Sequence, residues 1–144
     1  MRAAQFQAQK EAFETLIFRT GLQGEASVIG REIATQLGET TVTLKGNGKG
    51  GRNQDLALAA VDVLSGLKDV MLISLATDGE DGPTDAAGAV ATGESAQRAG
   101  MLGLTAPAHL SRNDAYSYFA SLGDLIRTGA SGTNINDLVI CFAF

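Results

Sequence analysis

Apolar positions change period several times along this chain, and each change predicts an element. Residues 2–12 are rich in helix formers and predict a short helix; the run Thr15-Leu16-Ile17-Phe18 predicts a strand stopped at Thr20-Gly21. Val28, Ile29, Ile33 and Leu37 recur at helical spacing within 25–37, and Thr40-Thr41-Val42-Thr43-Leu44 is a second strand candidate. Residues 46–51, Gly-Asn-Gly-Lys-Gly-Gly, predict a loop, since glycine disfavours both regular structures. A helix over 52–64 follows, with Leu56, Ala57, Ala60, Val61 and Leu64 on one face and Gly66 as its C-terminal stop.

Downstream, residues 70–76 form a near-continuous apolar run, the pattern of a strand covered on both faces in a parallel or mixed sheet. The acidic loop Asp78-Gly79-Glu80-Asp81-Gly82-Pro83-Thr84-Asp85 stands at its C-terminal end, where open α/β sheets usually place ligands. A short strand over 88–91, a helix over 94–100, two helical pieces within 110–122 broken at Asn113-Asp114, and a buried strand over 138–144 complete the reading. The fold class expected is α/β, a mixed or parallel sheet flanked by helices in one domain spanning 1–144.

Composition narrows the function classes. With 144 residues the chain can bury a core without disulfides or metal. A net charge of −5 argues against nucleic acid and anionic membrane as partners, so any anion site must be local. The single cysteine, Cys141, cannot form an internal disulfide and is expected as a buried thiol, which suits the cytoplasm, as does the lack of an apolar signal-like stretch after Met1-Arg2.

The loop Gly46-x-Gly48-x-x-Gly51 satisfies the dinucleotide-binding pattern, with an ordinary glycine turn as the alternative. Two cations, Lys49 and Arg52, suit it better to a more highly charged anion, while Gly after Lys49 excludes a Walker A loop. Arg52 in the first helical turn opposes the helix dipole, a conflict that either a ligand anion or a carboxylate such as Asp78 or Asp81 would remove. Asn53 and Gln54 are capping amides or ligand donors. The carboxylates Asp78 and Asp81 could hold Mg²⁺ or orient a hydroxyl, with solvation of an acidic surface as the alternative. Arg112-Asn113-Asp114 and the stretch 129–137 are further polar clusters; Thr133, Asn134, Asn136 and Asp137 could staple the entry to the last strand. His109 has no triad partner and reads as a surface histidine.

Taken in order, Gly38-Glu39-Thr40-Thr41-Val42-Thr43, Gly46-x-Gly48-Lys49-Gly50-Gly51-Arg52-Asn53-Gln54, the segment from Thr77 through Asp78-Gly79-x-Asp81-Gly82-Pro83-Thr84-Asp85 to Ala89, Arg112-Asn113-Asp114, and Gly132-Thr133-Asn134-x-Asn136-Asp137-Leu138 closely resemble the MOFRL domain. This is the C-terminal domain of the ATP-dependent glycerate 2-kinase family, long labelled hydroxypyruvate reductase. The resemblance implies ATP- and Mg-dependent phosphorylation of D-glycerate, or a similar small hydroxy acid, in a cleft shared with an N-terminal Rossmann-like kinase domain. That domain is absent from these residues, as is a family strand before Gly38, so the chain alone is expected to be incomplete as a catalyst. Its partners would be that domain or a partner chain, with a homo-oligomer compatible.

By the same resemblance Arg52 matches the family's proposed catalytic arginine. Gly48, Lys49, Gly50, Gly51, Asn53, Gln54, Asp78, Asp81, Thr84, Asp85, Asn113, Asp114, Thr133 and Asn134 become the expected substrate- or phosphate-binding set, with Asp78 and Asp81 also expected at metal. A non-catalytic binding or assembly module, and an NAD(P)-dependent reductase, are the alternative functions.

Overall fold

The structure, a computed structural model, describes residues 46–133 and 136–143. The elements expected over 2–12, 15–18, 25–37 and 40–44, and the strand expected to be missing before Gly38, lie outside the described residues. Within them run α1 (Arg52–Leu64), β1 (Val70–Ala76), β2 (Gly88–Thr92), α2 (Ser95–Met101), α3 (Ala106–Leu110), α4 (Ala115–Leu122), β3 (Leu125–Ile126) and β4 (Asp137–Ala143).

Helix α1 is the centre of the molecule. Every residue from Asn53 to Val61 is buried, because the helix lies over β1 and β2 and is flanked by α3 and α4. Its alanines at 57, 59 and 60 let these neighbours approach closely, while Leu56, Leu58, Val61 and Leu64 fill the spaces between them. Each such leucine, taken fully out of water, contributes roughly 2 kcal/mol before entropy is counted. The helix ends as the sequence predicts, with Gly66 in the left-handed region at φ +81°, its N–H donating to the Gly93 carbonyl at 2.9 Å. On α4, Tyr118 and Phe119 are fully buried and pack edge-on, with His109 edge-on to Tyr118. His109 is therefore not the surface residue expected: it is 7% exposed, with Nδ1 2.9 Å from the Thr105 carbonyl oxygen.

The sheet order is β3-β2-β1-β4, and all three pairings among the described residues are antiparallel rather than parallel or mixed. The apolar run in β1 misled on direction because β1 lies between two neighbours and is apolar on both faces whichever way they run. Leu72, Ser74 and Ala76 are buried beneath α1, and Met71, Ile73 and Leu75 are half-buried on the other face. The connection from β1 to β2 is only the acidic loop, too short for the helical crossover that parallel strands require. Strand β4 is not the buried closing strand expected. It flanks β1 alone among the described strands, and Leu138, Ile140 and Cys141 are exposed, since α1 packs over β1 and β2.

Candidate functional site

One end of the sheet gathers the polar motifs. There β1 ends, β4 begins, α1 starts, and the acidic loop turns back between them. A helix start leaves backbone N–H groups without intrahelical partners. In α1 the cap residue Gly51 is extended and has no side chain, and Asp81 supplies the acceptor from across the fold. Its Oδ1 accepts the Asn53 N–H at 3.1 Å and its Oδ2 accepts the Gln54 N–H at 2.9 Å. Gly51 has to be glycine, since a Cβ would lie 2.3 Å from the Asp81 carboxyl carbon. Burial raises the Asp81 pKa, and the hydrogen bonds from Gln54 and Asn53 offset part of that rise.

A second layer of contacts surrounds this cap. The Asn53 amide nitrogen donates to Asp137 Oδ1 at 3.0 Å and to Asp81 Oδ1 at 3.3 Å, while the Ser74 hydroxyl donates to the Asn53 amide oxygen at 2.7 Å. The Gln54 amide nitrogen donates to the Asp81 carbonyl and to Thr84 Oγ1, and that hydroxyl donates back to the Asp81 carbonyl. Asn53, Gln54 and Ser74 have no solvent exposure. Arg52 stands at the edge of this network. Its Nε donates to Asp137 Oδ2 at 2.5 Å and its Nη2 to Asp137 Oδ1 at 2.7 Å, a bidentate pair with side chains 42% and 24% exposed. The pairing raises its proton affinity, first through the hydrogen bond to Asp137, with smaller charge contributions from Asp137, Asp81 and Asp78. Nη1 donates to nothing among the described residues.

The glycine loop is packed rather than open. The Gly48 N–H donates to the Arg112 carbonyl and the Lys49 N–H to Asp114 Oδ1, while the Tyr116 N–H donates to the Lys49 carbonyl. A Cβ at Gly46 or Gly48 would fall 2.4 or 2.5 Å from the Arg112 carbonyl oxygen. The Lys49 ammonium lies 3.9 Å from the centre of the Tyr116 ring, and the Tyr116 hydroxyl donates to Asp85 at 2.6 Å. Arg127 also pairs with Asp85. Tyr116 and Arg127 lower the Asp85 pKa to about 2. The loop therefore rests on the Arg112–Asp114 turn, and that turn is tied to α1 by Asn113, whose amide donates to Asp55 at 3.0 Å.

These contacts show what the expected site residues do within the fold. The backbone amides of Gly48, Lys49, Asn53 and Gln54 are taken by protein acceptors, and the side chains of Asn53, Gln54 and Thr84 are spent inside the buried network. Asp85, Asn113 and Asp114 are likewise engaged in holding loops together. Both oxygens of Asp81 accept hydrogen bonds at the start of α1, and no group of three His, Cys, Asp or Glu that could hold a metal ion is found among the described residues. Thr133 is exposed; the Ser131 hydroxyl donates to the Thr133 and Thr77 carbonyls and accepts the Thr133 N–H, so a serine outside the expected set ties these loops together. Asn134 lies outside the described residues.

Two residues escaped the binding set. Asp137, not Asp78 or Asp81, is the carboxylate that pairs with Arg52; it ends a polar cluster just before an apolar strand. Ser74 is the lone hydroxyl in the apolar run 70–76, and that contrast was its signal.

Comparison with known proteins agrees with this layout. The MOFRL family matches residues 33–137. The chain belongs to the MOFRL family. It is 41% identical over 152 aligned residues to the D-glycerate 2-kinase of Thermotoga maritima, which covers 92% of this chain and 36% of that protein. It is 45% identical over 112 residues to human glycerate kinase, covering 73% of this chain and 21% of that protein. The crystal structure of the Thermotoga maritima glycerate kinase superimposes with a TM-score of 0.94 at 39% identity, over 99% of this chain and 39% of that one. The Pyrococcus horikoshii PH0495 structure gives 0.92 at 34% identity, over 99% and 37%. The chain thus spans about a third of the length of its microbial relatives. Neither the kinase names of these relatives nor the occupied amides of the glycine loop lend support to a dinucleotide-dependent reductase.

Proposed function

We propose that this chain is the substrate- and phosphate-binding C-terminal domain of a glycerate 2-kinase, which transfers a phosphoryl group from ATP to D-glycerate and needs the rest of a longer polypeptide to do so. The observation that carries this reading is Arg52, held by Asp137 through Nε and Nη2 at the start of α1, with no acceptor for Nη1 among the described residues. A guanidinium fixed in this way can receive a carboxylate or a transferring phosphoryl group with little reorganisation, which is where phosphoryl-transfer enzymes obtain most of their rate. ATP would supply that group when bound. The family and its kinase relatives supply the reaction class.

Electrostatics supports the need for more chain. Arg52 is one cation beside Asp137, Asp81 and Asp78, so this end of the molecule cannot by itself neutralise a triphosphate. Further positive charge would have to come from Lys49 on the same loop and from the rest of the polypeptide. D-Glycerate added to the ¹⁵N-labelled chain is expected to shift the Arg52 guanidinium resonances, and Arg52→Gln to remove the response. With ATP, Mg²⁺ and D-glycerate the isolated chain is expected to show negligible turnover. Robust turnover, or no response to glycerate in the unaltered protein, would refute the reading.

A further inference from the structure

We infer that Asn53 is a positioning residue for Arg52, acting through Asp137, and that the Ser74 hydroxyl sets the direction in which the Asn53 amide points. The inference rests on the proposed role of Arg52 for its functional meaning, but its structural content stands separately. Two carboxylates, Asp81 and Asp137, converge on one end of the Asn53 side chain at 3.3 and 3.0 Å. Carboxylates only accept, so that end must be the NH₂ group. The other end is the oxygen, and it accepts from Ser74 at 2.7 Å. A flipped amide would set an oxygen against two carboxylates and leave its nitrogen facing a hydroxyl. The orientation is thus fixed from both ends in a place without water.

The consequence reaches Arg52 through one carboxylate. Asp137 Oδ1 receives both the Asn53 amide and Arg52 Nη2, and its Oδ2 receives Arg52 Nε. Neighbouring residues on α1 therefore grip the same group, one from the buried side and one from the exposed side. A half-exposed ion pair between flexible side chains is ordinarily worth little, because both partners lose rotamer freedom in making it. Here Asp137 is already held by Asn53 before Arg52 arrives, and that removes one part of the ordering cost. Asp81 does not need Asn53's side chain for its capping, since its two oxygens already hold the backbone amides of α1. The side-chain amide is the additional link, joining the cap to the carboxylate that aims the arginine.

The test reads Arg52 directly. In the full chain, the Arg52 Nε–H is expected to give a resolved, slowly exchanging NMR signal. Asn53→Ala is expected to speed its exchange with water at least about tenfold, and Ser74→Ala about fivefold, the effect of losing one ordinary hydrogen bond. Asp137→Asn is the reference for a fully released arginine. A merely structural role would lower the melting temperature of Asn53→Ala and Ser74→Ala while leaving Arg52 exchange as it was, and that result would overturn the inference. If Asn53→Ala does not fold, Ser74→Ala decides, since it removes a single oxygen. D-Glycerate titration is run beside these measurements: failure of the unaltered protein to respond sinks the glycerate reading alone, whereas unchanged Arg52 exchange sinks the positioning role alone.

Discussion

Asp55 offers a sharp stability prediction because it is a carboxyl group buried with half of its hydrogen-bonding capacity unused. It is 4% exposed on the first turns of α1; Oδ2 accepts the Asn113 amide, and Oδ1 has no partner. Desolvation lifts its pKa from 3.8 to about 6, with the nearby Asp81 charge adding to the rise and the Asn113 hydrogen bond opposing it. The folded protein therefore binds a proton that the unfolded chain has already released between about pH 4 and pH 6. Stability from this group is fully present below the unfolded value and is lost as pH rises through the folded one. At about 1.4 kcal/mol per unit, a shift of about two units is worth at most about 3 kcal/mol, and local relaxation brings the expectation nearer 2 kcal/mol. Asp55→Asn keeps the size and the acceptor for Asn113 while removing the charge. It should match the unaltered protein near pH 4 and exceed it by about 2 kcal/mol at pH 7 to 8, or roughly 6–8 °C in melting temperature for a chain of this size. Thermal melts of both proteins across this range measure the difference. A gap that does not change with pH, or a variant that is less stable at pH 8, would show that Asp55 is not the buried, charge-penalised group described.

Other perturbations address the rest of the site. Gly51→Ala should lose about 3 kcal/mol or more in chemical denaturation, because its methyl group would occupy the space of the Asp81 carboxyl carbon. Asp81→Asn should lose about 2–4 kcal/mol by the same measurement, since one acceptor becomes a donor facing an N–H of α1; a loss below about 0.5 kcal/mol would mean that the cap is not what starts the helix. Arg127→Ala should bring the Asp85 carboxyl up from about 2 toward the ordinary carboxylate range in a ¹³C NMR titration, while the melting temperature hardly moves because the pair is exposed. An unmoved Asp85 would assign its low value to Tyr116 alone.

How much of this was legible in sequence follows from which interactions are local. Helix α1, its glycine stop, β1, β2 and the break at Asn113-Asp114 are written in periodicity and turn residues, and they appear where the pattern places them. The two-residue β3 has too short a signal to be read. Strand direction was not legible, because apolar content records how many faces are covered and not which way the neighbours run. At the site, the sequence singled out Arg52 and left the two amides after it open between helix capping and ligand binding. Their role is inward, and nothing local announces it: Asp81 and Asp137 come to α1 from 27 and 85 residues away.

The same distance explains why glycines dominate the site's sequence without forming a phosphate cradle. A cap borrowed from a remote loop must reach the helix start past the preceding backbone, so Gly51 gives way to the Asp81 carboxyl and Gly82 to the Gly50 carbonyl. Gly46 and Gly48 likewise give way to the Arg112 carbonyl. Glycine is required at these positions because protein, rather than ligand, occupies the space a side chain would take. At the helix N-terminus the Asn53 and Gln54 amides are taken by Asp81, with Arg52 beside them. The guanidinium of Arg52 is thus oriented in an acidic surround, beside Asp137 and near Asp81 and Asp78.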